Sequence, residues 1–311
     1  MNEISVKLKL LQQVSGKTQG QLAQELGVTI LSFSNWINGK SIPRDKKIAF
    51  INTILAKYDV PLITHSLEDG RIQDERGIKN LFLESLRLNN KGILEKILRR
   101  KDLVDEFSLQ ITYNTNSIEG STMTVDDTYN VIFKTKTIVK KSLLEQLEAK
   151  NHHEAFLYLI DYISSARNQI DVMFAKRLHK ILMNGILETA GEFRNHPVRI
   201  VGSYVPTSNY LKVEKLIEDL FVNGPKTIEE ISKFHANLEQ IHPFSDGNGR
   251  VGRLILISQL LRNDYAPAMF NAKLKHIYYK SLQDAQLKQN YSKLVEHVLD
   301  AIITGYKIIV D

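Results

Sequence analysis

Twelve consecutive residues, His242-Pro243-Phe244-Ser245-Asp246-Gly247-Asn248-Gly249-Arg250-Val251-Gly252-Arg253, combine a base, a carboxylate, closely spaced glycines and two arginines. His242 has the one side chain here whose ordinary pKa lies near neutrality, so it can take a proton from an attacking hydroxyl. Asp246 offers a hard oxygen ligand of the kind Mg²⁺ takes. Gly247 and Gly249 let an anion approach the backbone closely, and Arg250 and Arg253, three apart, can reach successive phosphates. Base, metal ligand and anion cradle together imply phosphoryl-type transfer from a nucleotide.

Two helices must hold this loop. Upstream, Ile228, Ile231, Phe234, Leu238 and Ile241 recur at helical spacing, and Thr227 with Glu230 forms a capping box. Pro243 stops that helix near His242. Downstream, Val251, Leu254, Ile255, Ile257, Leu260 and Leu261 mark a largely buried helix opened by Gly247-Asn248-Gly249. The anion cradle therefore sits at a helix N-terminus, where unpaired N–H groups and the helix dipole favour negative charge.

The segment resembles, position for position, the HxFx(D/E)GNGRxxR signature of the Fic family, nucleotidyltransferases that mostly move AMP from ATP onto a protein hydroxyl. The resemblance implies that His242 is the general base and Asp246 the Mg²⁺ ligand. It makes Phe244 the anchor of the loop, and Gly247, Asn248 and Gly249 the anion cradle. Arg250 and Arg253 would take the β- and γ-phosphates.

Further upstream, Thr115-Asn116-Ser117-Ile118-Glu119-Gly120 reads in isolation as a capped helix end with a solvated Glu. Beside the Fic-like loop it resembles the (S/T)xxxE(G/N) inhibitory motif, with Thr115, Glu119 and Gly120 at its defining positions. A carboxylate at Glu119 that pairs with Arg253 would deprive a γ-phosphate of its partner. Within the family this Glu can also assist AMP removal.

Residues 198–206, with alternating β-branched residues between Pro197 and Pro206, predict a short hairpin. Its place before the motif resembles the Fic flap, which aligns target backbone by strand addition, and implies that Ile200, Val201, Gly202, Ser203 and Tyr204 make that contact. Tyr278, Tyr279 and Gln286 follow the motif helix; the same resemblance makes them candidates for the adenine and ribose, although many relatives carry Asn where Gln286 stands.

The chain has 311 residues, a 43% apolar fraction and no cysteine, which excludes disulfides, thiolate metal sites and cysteine nucleophiles. No apolar run approaches a membrane span, so the expectation is a cytoplasmic protein with no membrane contact. The net charge of +6 is uneven: residues 1–58 hold eight Lys/Arg against three acids. A basic module on a nearly neutral body points to an anionic partner, most simply nucleic acid.

Gln19–Leu26 reads as a short helix with Leu22, Ala23 and Leu26 inward, stopped at Gly27. A second short helix runs from Val28-Thr29 through Trp36-Ile37, and Ile48, Ile51 and Leu55 suggest a closing one. Thr18-Gln19-x-x-Leu22-Ala23-x-x-Leu26-Gly27-Val28-Thr29 resembles the Cro and phage-repressor type of helix-turn-helix. That implies base reading from Thr29, Ser34 and Asn35, with Gln19, Lys40 and Arg44 on phosphates, and a homodimer on paired half-sites. Ile30 and Leu31 break the usual polar choice, since they can touch only a thymine methyl.

The expected fold is mainly α: an all-helical Fic-like core with a hairpin flap, plus a small N-terminal bundle. The expected divisions are 1–59 for the helix-turn-helix, 60–76 for a linker, 77–190 for a helical region with the inhibitory turn, and 191–311 for the catalytic core. The expected reaction uses ATP and Mg²⁺ and a target protein with a modifiable hydroxyl. The alternatives are a Fic-type transferase of another nucleotide, or a nucleotide-sensing regulator whose output is DNA binding.

Overall fold

The computed structural model describes residues 3–56, 75–200 and 202–310. Most of the expected linker, residues 60–74, and Val201 of the expected flap lie outside them. The chain divides into two compact units, residues 1–90 and 91–311.

The first unit contains α1 (Glu3–Ser15), α2 (Gln19–Glu25), α3 (Ile30–Ile37), α4 (Asp45–Ala56) and α5 (Glu75–Asn89). Thr18 and Gln21 form a reciprocal capping box at the start of α2, and Thr29 caps α3 by accepting from the Ser32 N–H. Between them Gly27 adopts φ +61°. Leu22, Ala23, Leu26, Phe33, Ile37, Ile51 and Leu55 fill the core. Sequence periodicity had not marked α1, because Ile4, Val6, Leu8 and Leu10 alternate as a strand would. It forms a helix nonetheless, and those four side chains and Leu11 are all buried. Helix α5 packs on α1, so residues 77–90 group with the first unit rather than with the body expected to begin at 77.

The second unit contains α6 (Ile93–Arg99), α7 (Lys101–Ile118), α8 (Val125–Lys134), α9 (Leu143–Ser164), α10 (Val172–Leu182), α11 (Val213–Phe221), α12 (Ile228–Ile241), α13 (Asn248–Arg262), α14 (Lys275–Lys288) and α15 (Ser292–Val310). Helix α13 is its axis. Every residue from Arg250 to Leu261 is buried, and α13 packs against α12, α10, α9, α7 and α6. The core face of α6 is Ile93 and Ile97. A carboxylate 171 residues away caps that helix: Asp264 accepts from the N–H of Ile93 at 2.9 Å and of Gly92 at 3.2 Å.

The expected hairpin does not form; among the described residues there is no strand. Residues 198–200 and 202–207 are irregular instead, with the Ser203 N–H bonded to the Ile200 carbonyl and the Thr207 hydroxyl donating to the Val198 carbonyl at 2.7 Å. Strand propensity expresses itself only against a neighbouring strand, and this short segment has none to pair with. Tyr204 stands 91% exposed at its tip.

Helix α15 passes close to the loop after α13. A Cβ at Gly305 would lie 2.0 Å from the Pro267 carbonyl oxygen, and the nearby Met269 N–H donates to the Ala301 carbonyl. Gly305→Ala is therefore expected to destabilise the protein by about 1–3 kcal/mol despite alanine's better helix propensity. A lowered midpoint in urea unfolding checks it; an unchanged midpoint would refute the close packing.

Candidate active site

Helix α12 begins at the expected Thr227–Glu230 capping box and ends at His242, which adopts a left-handed conformation (φ 53°, ψ 62°). That turn directs the chain into the loop. Arg194 holds it there: its guanidinium donates to the carbonyls of His242 (2.7 Å), His196 (2.8 Å), Ser208 (2.5 Å) and Ile241 (3.3 Å), and its N–H donates to the Pro243 carbonyl. The His242 Nδ1 lies 3.1 Å from the Glu239 carbonyl, which can only accept. The ring proton therefore sits on Nδ1, and Nε2 keeps its lone pair. Burial lowers the His242 pKa, so the imidazole is neutral at pH 7 and competent as a base.

The next residues fix the loop's shape. Phe244 is fully buried and stacks on His179, with centroids 3.8 Å apart and planes within 5°. The His179 Nδ1 accepts from the Gly191 N–H, which leaves Nε2 to donate to the Asp246 carbonyl at 3.1 Å. Burial pushes the His179 pKa down to about 4, so this bridge stays neutral. Asn248 exchanges two hydrogen bonds with the backbone of Phe244, accepting at 2.8 Å and donating at 2.9 Å. Its side chain therefore closes the loop. At Gly247 the backbone is left-handed (φ +75°), and a Cβ would lie 2.8 Å from the Met183 Sδ.

At the start of α13 the anion cradle is occupied by a side chain. Glu119, at the end of α7, forms an ion pair with Arg253, whose own side chain is 1% exposed. A Cβ at Gly249 would lie 2.5 Å from Glu119 Oε1 and 3.1 Å from Arg253 Nη1, so the carboxylate rests on the bare glycine backbone. Burial works against the Arg253 charge, but Glu119 and the neighbouring groups outweigh it and hold the guanidinium above its ordinary pKa. The Tyr279 hydroxyl donates to the Ile118 carbonyl at 3.3 Å, bracing the turn. Thr115 is buried, its carbonyl accepts from the Glu119 N–H, and Gly120 takes φ +107°.

Arg250 is also engaged. Its guanidinium meets Glu148 of α9 at 2.7 Å and approaches Asp246 Oδ2 at 3.7 Å. Asp246 accepts from the Gly247 N–H at 2.6 Å, and its side chain is 67% exposed. No cluster of three or more His, Asp or Glu side chains suited to a metal occurs among the described residues. The exposed carboxylate still fits a hard cation whose other ligands are phosphate oxygens and water.

Tyr278 and Gln286, expected beside a nucleotide base, are placed in the core. The Tyr278 hydroxyl bonds His235 Nε2 at 2.7 Å, and Gln286 donates to the Ala236 carbonyl at 3.0 Å. Both thus contact α12, and the Tyr278 ring also lies 6.0 Å from the Arg253 guanidinium, while Tyr279 is 43% exposed. Ile200, Gly202, Ser203 and Tyr204 lie on the irregular loop. In the first unit Thr29, Lys40 and Arg44 are exposed, and Gln19, Ser34 and Asn35 are half-buried. Ile30 and Leu31 are 62% and 71% exposed on α3.

Sequence reasoning missed Arg194, His179 and Glu148. Their partners lie elsewhere in the chain, so none carries a local signal.

Residues 169–260 match the model of the Fic/DOC family. The chain is 29% identical over 195 residues to "Protein adenylyltransferase Fic" from Nematostella vectensis, covering 60% of this chain and 45% of that protein. It is 28% identical over 220 residues to "Protein adenylyltransferase fic-1" from Caenorhabditis elegans, covering 68% and 42%. The matched region thus spans less than half the length of these curated relatives. Among solved structures, Fic-1 from C. elegans shares the fold at TM-score 0.64 and 20% identity, over 97% of this chain and 86% of that one. A Fic domain-containing signaling protein from Bacteroides thetaiotaomicron does so at TM-score 0.62 and 20% identity, over 72% and 92%.

Proposed function

We propose that the chain is a protein adenylyltransferase that moves AMP from ATP onto a Ser, Thr or Tyr hydroxyl of a target protein or of itself, and that Glu119 restrains it. The observation that carries this reading is the Glu119 carboxylate seated on Gly249 and Arg253, where an anion belongs, in the loop that holds a neutral His242. The names of the relatives agree with it.

In this reading Arg253 and the start of α13 hold the phosphate tail, and the 198–206 loop pairs with target backbone through Ile200 to Tyr204. His242 Nε2 takes the proton of the target hydroxyl as its oxygen bonds to the α-phosphorus. The bond from that phosphorus to the bridging oxygen breaks, and pyrophosphate leaves. Mg²⁺, held by Asp246 and phosphate oxygens, supplies charge neutralisation when bound. The same turn at Glu119 also serves removal of AMP from a modified target. Incubating Glu119→Gly protein with Mg-ATP and lysate tests the reaction: an added AMP mass on a hydroxyl supports it. If AMP is absent while label from UTP, GTP or CTP is incorporated, the donor assignment fails.

The first unit binds DNA as a homodimer in this proposal, with Thr29, Ser34 and Asn35 toward the bases and Gln19, Lys40 and Arg44 toward phosphates. Its support is the excess of basic residues before residue 59 and a second short helix with exposed N-terminal residues. A mobility-shift assay on the whole chain should show binding that weakens steeply with salt; no shift at low salt would overturn it.

A further inference from the structure

Both arginines of the loop are held by carboxylates from distant helices, but the two carboxylates sit differently. Glu119 lies in the cradle itself. Glu148 approaches Arg250 from α9, 102 residues earlier in the chain, and is 20% exposed while Arg250 is 5% exposed. Helix α9 is fixed in place one turn further on: Asn151 donates to the carbonyls of Leu182 and Asn184 at the end of α10. The contact is thus built on a rigid element.

The other end of the same guanidinium faces Asp246. Its Nη2 is 3.7 Å from Oδ2, an ion-pair approach too long for a hydrogen bond. Arg250 Nε is buried with no partner. The guanidinium therefore has one close anion, and that anion is Glu148.

We propose that Glu148 is a positioning residue: by holding Arg250 it keeps the Asp246 carboxylate free to bind a divalent cation. This rests on the role given above to Asp246. Leaving a buried guanidinium unpaired is costly. With Glu148 removed, Asp246 is the nearest remaining carboxylate, and a modest side-chain rotation converts the 3.7 Å approach into a bidentate pair. The cation then has to displace an arginine before it can bind. Groups that orient metal ligands from behind typically change affinity by about 10–100-fold when mutated.

The test measures Mn²⁺ binding to full-length protein in the presence of ADP, followed by electron paramagnetic resonance and so independent of turnover. Glu119→Gly protein serves as the parent. Glu148→Gln is expected to weaken Mn²⁺ binding about tenfold, while ADP affinity without metal changes by less than about twofold. In an Arg250→Gln background, the same Glu148→Gln change should have no effect, because its intermediary is gone. Unchanged Mn²⁺ affinity in Glu148→Gln overturns the proposal, and so does an equal loss in the Arg250→Gln background. If Glu148→Gln does not fold, Glu148→Asp, which keeps the charge one methylene further back, should fall between parent and the tenfold loss; parent-like affinity there overturns it. A parent that binds neither ADP nor Mn²⁺ defeats the functional reading itself.

Discussion

Glu119→Gly is expected to incorporate AMP about 100-fold faster than the unmodified protein at matched Mg-ATP. The magnitude follows from what misplacing a reacting group costs: a shift of about 1 Å can lower a rate by that factor. With Glu119 on Gly249 and Arg253, a triphosphate has neither the helix start nor the guanidinium for its tail. ATP that binds elsewhere does not present its α-phosphorus to the hydroxyl. Removing the side chain frees both contacts, and the helix end loses no cap bond, because only the Glu119 backbone N–H takes part in it.

A second consequence separates this from a general loosening. Arg253 is almost wholly buried, and without Glu119 it has lost its paired anion. The variant should therefore be less stable than the parent, by about 1–2 kcal/mol once the partial exposure of Glu119 is considered. Because a nucleotide restores the missing anion, Mg-ATP should raise its melting temperature more than that of the parent. Equal incorporation by the two proteins would remove the inhibitory role; equal ATP-dependent shifts would remove the competition for Arg253.

His242→Ala in the Glu119→Gly background should lower AMP incorporation by about 10²–10⁴-fold, the range for losing a general base, with nucleotide affinity within a few fold. The prediction comes from the tautomer. Nδ1 is committed to the Glu239 carbonyl, so Nε2 is the atom able to accept a proton. Residue 242 is left-handed, which strains alanine, so His242→Asn provides a control that tolerates this backbone and has no comparable base. Loss of incorporation in both variants, with unfolding cooperative in at least the Asn variant, places the defect in chemistry. Activity in His242→Asn near that of the parent would exclude His242 as the base.

What was legible in the sequence was local. The capping box at Thr227 and Glu230, the stop at Pro243 and the one-turn spacing of Thr115 and Glu119 depend on neighbours within a few residues, and the structure has each of these features. The groups that hold the loop come from elsewhere in the chain. Three of the four carbonyls that the Arg194 guanidinium meets lie 14 to 48 residues away, and Glu148 meets Arg250 across 102. A lone arginine or glutamate gives no sign of such a partner. The strand-like alternation of Ile4, Val6, Leu8 and Leu10 hides α1, because burial all round a helix erases its 3.6 period, and the β-branched residues of 198–206 state a preference that only a partner strand can satisfy. Tyr278 shows how a helix face is legible while its partner is not. Its spacing was right for a helix face, but that face looks toward His235.

The bare backbone at Gly249 has an evolutionary corollary. A methyl group there would collide with Glu119, and in the proposed reading it would also stand where a phosphate comes to rest. In that reading, substitution at 249 cannot evict Glu119 and keep the nucleotide, because both press on the same surface. Heritable escape from the proposed self-restraint would thereby be channelled away from the loop at 242–253 and toward the distant turn that ends α7.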